Sequence, residues 1–156
     1  MRKFGVLFSL LFVLALSLSC DRERTVCFTY RPTPVEGWEQ HNALTFPIDS
    51  VQQTGEYNLS IGVRTTYDYP FQTLWFQVTT RLEHSHLELL DTLVCQVTDP
   101  QGNTLGHGIS IFQYVYPLTS VHLNVGQRGT ITVKHIMRRN MLPGVSDVGV
   151  VLRKKE

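Results

Sequence analysis

The chain predicts an all-β fold: a single β-sandwich of jelly-roll-like form on a short, lipid-anchored N-terminal tether. Three observations predict it. Apolar and polar residues alternate along several short segments, turn-forming residues separate those segments, and no apolar stripe of helical period runs for a useful length.

The first element is an export signal. Arg2 and Lys3 precede an apolar run from Phe4 to Leu18, which stops at Ser19-Cys20. The run is short of the roughly 20 residues with which a helix crosses a bilayer. Cys20 directly follows a small residue, and the junction resembles a bacterial lipobox, with Ser17 three positions before the Cys and Leu16 one step further. That resemblance implies removal of residues 1–19 as a signal peptide and acylation of the Cys20 thiol. Two or three acyl chains hold a domain on a membrane where one alone binds only marginally. The membrane is then an attachment point reached through the N-terminal lipid.

Residues 20–42 read as the tether, because Pro32, Pro34 and Gly37 interrupt a mixed-charge stretch with little apolar periodicity. One early strand is expected around Val26–Tyr30. Residues 43–156 form the predicted domain. Tyr57, Leu59, Ile61 and Val63 alternate with polar or small residues, the period of a half-buried strand. Leu74, Phe76 and Val78 repeat the pattern, with Trp75, Gln77 and Thr79 on the opposite face, and Leu93, Cys95 and Val97 repeat it again. Asp99-Pro100-Gln101-Gly102 suits a reverse turn. Further strands are expected over Ile109–Tyr116, Val121–Val125, Thr130–Met137 and Val148–Leu152, with Gly126–Gly129 at hairpin distance between two of them. Met137–Leu142, closed by Pro143-Gly144, is the best place for a helical turn.

Composition excludes some function classes. Removing Arg2 and Lys3 takes the formal charge from +1 to −1. The basic run Arg153-Lys154-Lys155 reads as a solvated terminus, and no stripe for nucleic acid or anionic lipid stands out. With Cys20 acylated, Cys27 and Cys95 remain; nothing in their spacing requires a disulfide, and the reading favours two free thiols, Cys95 as a buried apolar one.

Candidate chemistry is sparse. His84-Ser85-His86, near Glu83 and Glu88, would put two imidazoles on one strand face. The remaining histidines, His41, His107, His122 and His135, show no recurring spacing, so no metal or cofactor is expected. A nucleophile elbow is absent, Ser110 alternates along a predicted strand, and Cys95 has no nearby base. Glu83, Glu88, Asp91 and Asp99 are carboxylates that spacing does not select. No catalytic residue is assigned, and an enzyme is not expected. Aromatic residues offer a binding alternative. Tyr67, Tyr69 and Phe71 precede Trp75, and Phe112, Tyr114 and Tyr116 sit at alternate positions, where an exposed row would take a glycan or a peptide.

The chain resembles the GldH family of gliding-motility lipoproteins of the Bacteroidota. The carrying segments are Tyr69-Pro70-Phe71-x-x-Leu74-Trp75, Asp91-Thr92-Leu93-x-Cys95 and Asp99-x-x-Gly102-x-x-Leu105-Gly106-x-Gly108. Met137-Arg138, Leu142-x-Gly144 and Asp147-Val148-Gly149 follow, and Arg64 stands where the family carries an Arg. The resemblance implies a membrane-anchored cell-envelope lipoprotein with a non-catalytic, accessory or structural part in the gliding machinery linked to type IX secretion. Its partners would be other envelope motility and secretion proteins. Arg138 and Asp147 are expected to pair and fix the bend at Leu142-Pro143-Gly144.

Overall fold

In the computed structural model, residues 25–85 and 88–156 are described; they form ten strands and contain no helix. The strands are β1 (Thr25–Pro32), β2 (Trp38–Glu39), β3 (Leu44–Ile48), β4 (Gly55–Thr65) and β5 (Thr73–Leu82). β6 (Glu88–Gln96), β7 (Phe112–Leu123), β8 (Gly129–His135), β9 (Met141–Leu142) and β10 (Val145–Lys154) complete the set. The leader, Cys20 and His86 lie outside the described residues.

Two four-stranded sheets, ordered β1-β10-β4-β7 and β3-β8-β5-β6, pair antiparallel throughout. Setting aside the two-residue β2 and β9 and renumbering the rest in chain order, the sheets read 1-8-3-6 and 2-7-4-5. That is the strand order of a jelly roll. One core lies between them. Tyr57, Leu59, Ile61 and Val63 of β4 and Val148, Val150 and Leu152 of β10 face Leu74, Phe76, Val78, Ile131 and Val133 of the opposite sheet. Alternation predicts β4 and β5 because each has one face in this core and one outside it.

Several expectations change. Residues 25–42, read as tether, carry β1 and β2. β1 runs the length of β10, from Thr25 opposite Arg153 to Pro32 opposite Asp147, and Trp38 is wholly buried. The expected helical turn at Met137–Leu142 is instead an irregular strap entering β9. Leu142 pairs with Trp38 and is wholly buried, so a strand conformation serves the core better there. Ile109–Tyr116 and Val121–Val125 are not two strands. Residues 109–111 form an exposed bend, and the rest is one strand, β7, bulged where Leu59 faces Thr119 and Ser60 faces Pro117. β7 and β8 do not form a hairpin, since they belong to different sheets.

β7 is an open edge. Gln113 exchanges both backbone hydrogen bonds with His107 on the side away from β4. By the alternation of an antiparallel ladder, Val115 and Pro117 face the same open side, where proline has no N–H to offer.

The sandwich has two rims. At the near rim β1 begins and β10 ends, and the connections 49–54 and 124–128 lie there. At the far rim are residues 33–43, 66–72, 97–111 and 136–144. The near rim is plugged by Val51, wholly buried, whose N–H donates to Gln127 O and whose carbonyl accepts from Gly126 N–H. The far rim is plugged by Trp38. Its ring meets Phe76 at 5.9 Å and His135 at 5.1 Å, and its indole N–H donates to Asn42 O at 2.6 Å.

Candidate functional site

The far rim carries a cleft in which apolar and cationic side chains meet. β5 presents Trp75 on its outer face, beside Val94 across the β5–β6 ladder, while Leu74 and Phe76 turn inward. The ladder between β5 and β8 extends one step past its strand, through Ile136 N–H donating to Trp75 O at 2.9 Å. The chain then continues as a strap over 137–140. Gln40 holds this strap from below: its side-chain amide donates to Met137 O at 3.1 Å, and its backbone N–H donates to Asn140 O at 2.8 Å.

Phe71, Trp75, Ile136, Met137, Arg138 and Arg139 line the resulting cleft, whose volume is about 420 Å³. Phe71 is held edge-on by Tyr69, 5.8 Å between centroids, and the buried Tyr69 hydroxyl donates to Thr73 O. Arg138 and Arg139 are exposed, and among the described residues neither forms an ion pair. The cleft thus has an apolar floor, a cationic border and no carboxylate. It can hold a large apolar side chain and pair with an anion beside it.

The sequence motifs fall into two groups. Most are consumed by the fold. The Asn103 side chain donates to Asp99 Oδ2, and this bond, with the N–H bonds from Asn103 and Gln101 to Oδ1, holds the Asp99 carboxyl below the usual range. Gly102 closes that turn onto Asp99 O. Gly144 sits at φ 76° with its α-carbon against the Tyr69 backbone, so a Cβ would lie 2.2 Å from Tyr69 N. Arg64 stacks on Tyr30 at 4.3 Å and donates to Gln113. Phe71, Trp75, Met137 and Arg138 instead line the cleft, where two motif blocks more than sixty positions apart in sequence meet. Strand alternation already placed Trp75 away from the core; nothing in the sequence signalled that 136–139 would lie beside it.

Arg138 and Asp147 do not pair. Arg138 lies on the outer side of the β3-β8-β5-β6 sheet, whereas Asp147, opposite Arg64 in β10, lies on the outer side of the other sheet and accepts from Ser146 Oγ at 2.8 Å.

The aromatic row belongs to the interior. Phe112 and Tyr114 are buried and Tyr116 is half-buried, with Tyr114 and Tyr116 stacked at 6.0 Å. The Tyr114 hydroxyl donates to Val97 O, and Tyr116 donates to Gln96 O. An exposed row at these positions does not exist. The exposed aromatics among the described residues are Phe28, Tyr67 and Trp75.

The remaining candidates stay apart. His84 occupies a turn at φ 66°, not a strand face. His122 contacts Glu56 at 2.9 Å, and His135 is buried with Nε2 donating to Trp38 O. Among the described residues no three His, Cys, Asp or Glu side chains gather as a metal-holding group. Glu88 pairs with Arg81 at 3.1 Å at one end of β6, and Asp99 lies beyond its other end. Ser110 lies in the exposed bend, not on a strand. Cys27 and Cys95 are free and buried, on β1 and β6 of different sheets. Burial pushes the Cys95 thiol up to about 12, which suits packing and not nucleophilic attack.

Comparison with known proteins adds the family. Residues 25–152 match the family described as GldH lipoprotein. The gliding motility lipoprotein GldH of Flavobacterium johnsoniae is 25% identical over 154 residues, covering 94% of this chain and 95% of the relative. The gliding motility lipoprotein GldH homolog of Christiangramia forsetii is 25% identical over 165 residues, covering 100% and 99%. Among solved structures, Eiger TNF from S. frugiperda covers 85% of this chain and 94% of its own, with 12% identity and a TM-score of 0.33. A GH26-CBM35 beta-(1,4)-mannanase of Podospora anserina covers 85% and 26%, with 17% identity and a TM-score of 0.39.

Proposed function

The chain belongs to the GldH lipoprotein family, and from that membership we propose that it is a lipid-anchored cell-envelope component of the gliding motility machinery. In this reading it is a non-catalytic accessory part that docks on other envelope proteins and serves motility linked to type IX secretion. The observation that carries it is similarity along nearly the whole of both chains to a gliding motility lipoprotein. The export signal ending at Cys20 supports the anchor independently.

The proposed organisation is a leader over 1–19, acylation at Cys20, and a body that takes in β1. Four residues then separate Cys20 from Thr25. The alternative, a surface glycan- or peptide-binding lipoprotein with an exposed aromatic row, loses the Phe112 and Tyr114 part of that row to the core.

Deletion of the gene tests the reading. Colony spreading is expected to be lost and type IX cargo to be retained in the cell; normal spreading together with normal secretion would overturn it. Cys20→Ala tests the anchor, with the acyl label and membrane partitioning expected to disappear together.

A further inference from the structure

We propose that the far-rim cleft is a docking site for an extended peptide segment of a partner protein, one carrying an aromatic or branched apolar side chain next to an Asp or Glu. The proposal rests on the docking role argued above and gives that role a place and a chemistry.

The floor argues for an apolar side chain. Trp75 is 42% exposed at a position whose neighbours on the same strand face are Thr73, Gln77 and Thr79. A threonine would serve the sheet equally well there. Met137 beside it is flexible and polarisable, and so accepts side chains of differing shape. A volume of about 420 Å³ holds one large side chain with its adjoining backbone.

The border argues for a carboxylate. Arg138 and Arg139 are adjacent and exposed, and the lining contains no acid that would neutralise them. A guanidinium fork binds a carboxylate with two parallel hydrogen bonds, which fixes register as well as charge. The Gln40 bonds to Met137 and Asn140 hold the arginines from both ends of their strap.

Position and chemistry select a peptide over other anions. Cys20 lies five residue steps from Thr25, a reach of at most about 18 Å. Along β5, Leu82 at the near rim and Trp75 at the cleft stand seven steps apart, roughly 23 Å. The cleft therefore opens at the rim away from the lipid, out of line with phosphate headgroups. A sugar's hydroxyls must donate as well as accept, and no carboxylate, amide or hydroxyl side chain lines the cleft to accept from them.

The test is selection of random hexapeptides from a display library on the acylated chain held in neutral phosphatidylcholine nanodiscs. Selected sequences are expected to join Phe, Trp, Leu or Ile to Asp or Glu. Their binding should fall at least about tenfold in Arg138→Ala/Arg139→Ala and in Trp75→Ala, with the thermal midpoint unchanged, and at least about tenfold when the acid is replaced by its amide. No selected binders, binders indifferent to these changes, or preferential retention of oligogalacturonate or phosphatidylglycerol vesicles would overturn it. Complementation separates this proposal from the motility reading. A deletion strain that spreads and secretes normally sinks the motility reading alone. A defective deletion strain fully restored by the double arginine variant sinks the cleft.

Discussion

The two rims of the sandwich are closed by different means. At the near rim a single valine, Val51, is drawn under the sheets by backbone bonds to Gln127 and Gly126, and the connections stay short. At the far rim the connections are long, and closure needs an indole, a two-stranded ladder and a glycine pressed against the Tyr69 backbone. Long connections demand more buried residues to hold them, but they also give surface freed from the strand register. The cleft beside Trp75 is that surface. The difference teaches where to look for function: at the rim whose residues exceed what closure requires.

The sharpest way to break this comparison is to remove the two plugs. Trp38→Ala should destabilise the fold by about 4 kcal/mol, against about 2 kcal/mol for Val51→Ala, read from urea midpoints. Equal losses would mean that the rims are closed alike. A finer version compares two left-handed glycines. Gly144 at φ 76° is crowded by Tyr69, whereas Gly126 at φ 80° has nothing within 4 Å of an added Cβ. Gly144→Ala should cost about 3 kcal/mol, combining backbone strain with overpacking, and Gly126→Ala about 1 kcal/mol from strain alone.

The smallest effect is a dependence on pH at the far rim. Burial holds the His135 imidazole below its ordinary value of 6.5, against the opposing pull of its bond to the Trp38 carbonyl. The unfolded chain therefore takes up this proton at a higher pH than the folded one. The stability associated with neutral His135 is complete above about 6.5 and is lost as pH falls from there through the lowered folded value. The slope is no more than about 1.4 kcal/mol per pH unit, that of one proton. His135→Gln keeps an amide donor and should flatten this part of the stability–pH curve relative to the parent.

Much of the body was legible because period-two burial is a local signal. β4 and β5 sit between a wet face and a dry one, so their apolar residues alternate without interruption. β1 pairs along its whole length, yet as an edge strand it buries only Cys27 fully, and its sequence therefore looks like a tether. β7 was divided by Pro117 and its bulge, which an edge strand tolerates. β2 and β9 are two residues each, too short to carry a period. The site was half legible. Trp75 was assigned to the outer face by alternation alone. Its meeting with Met137 and Arg138 depends on β8 lying beside β5 and on Gln40 reaching up from a segment read as a linker. The expected Arg138–Asp147 pair failed for the same reason, since short separation in sequence says nothing about which side of a sandwich a residue faces.

The open edge of β7 has a consequence for life on a membrane. A domain confined by lipid to a plane meets copies of itself far more often than one dissolved in volume. An unguarded edge strand of twelve residues would let such neighbours zip into a continuous sheet. Here the His107 bridge already occupies Gln113, and Pro117 offers no donor two residues beyond Val115. The stretch left for pairing at this end of the edge is too short to propagate. At this end β7 therefore offers no ladder to a crowded neighbour.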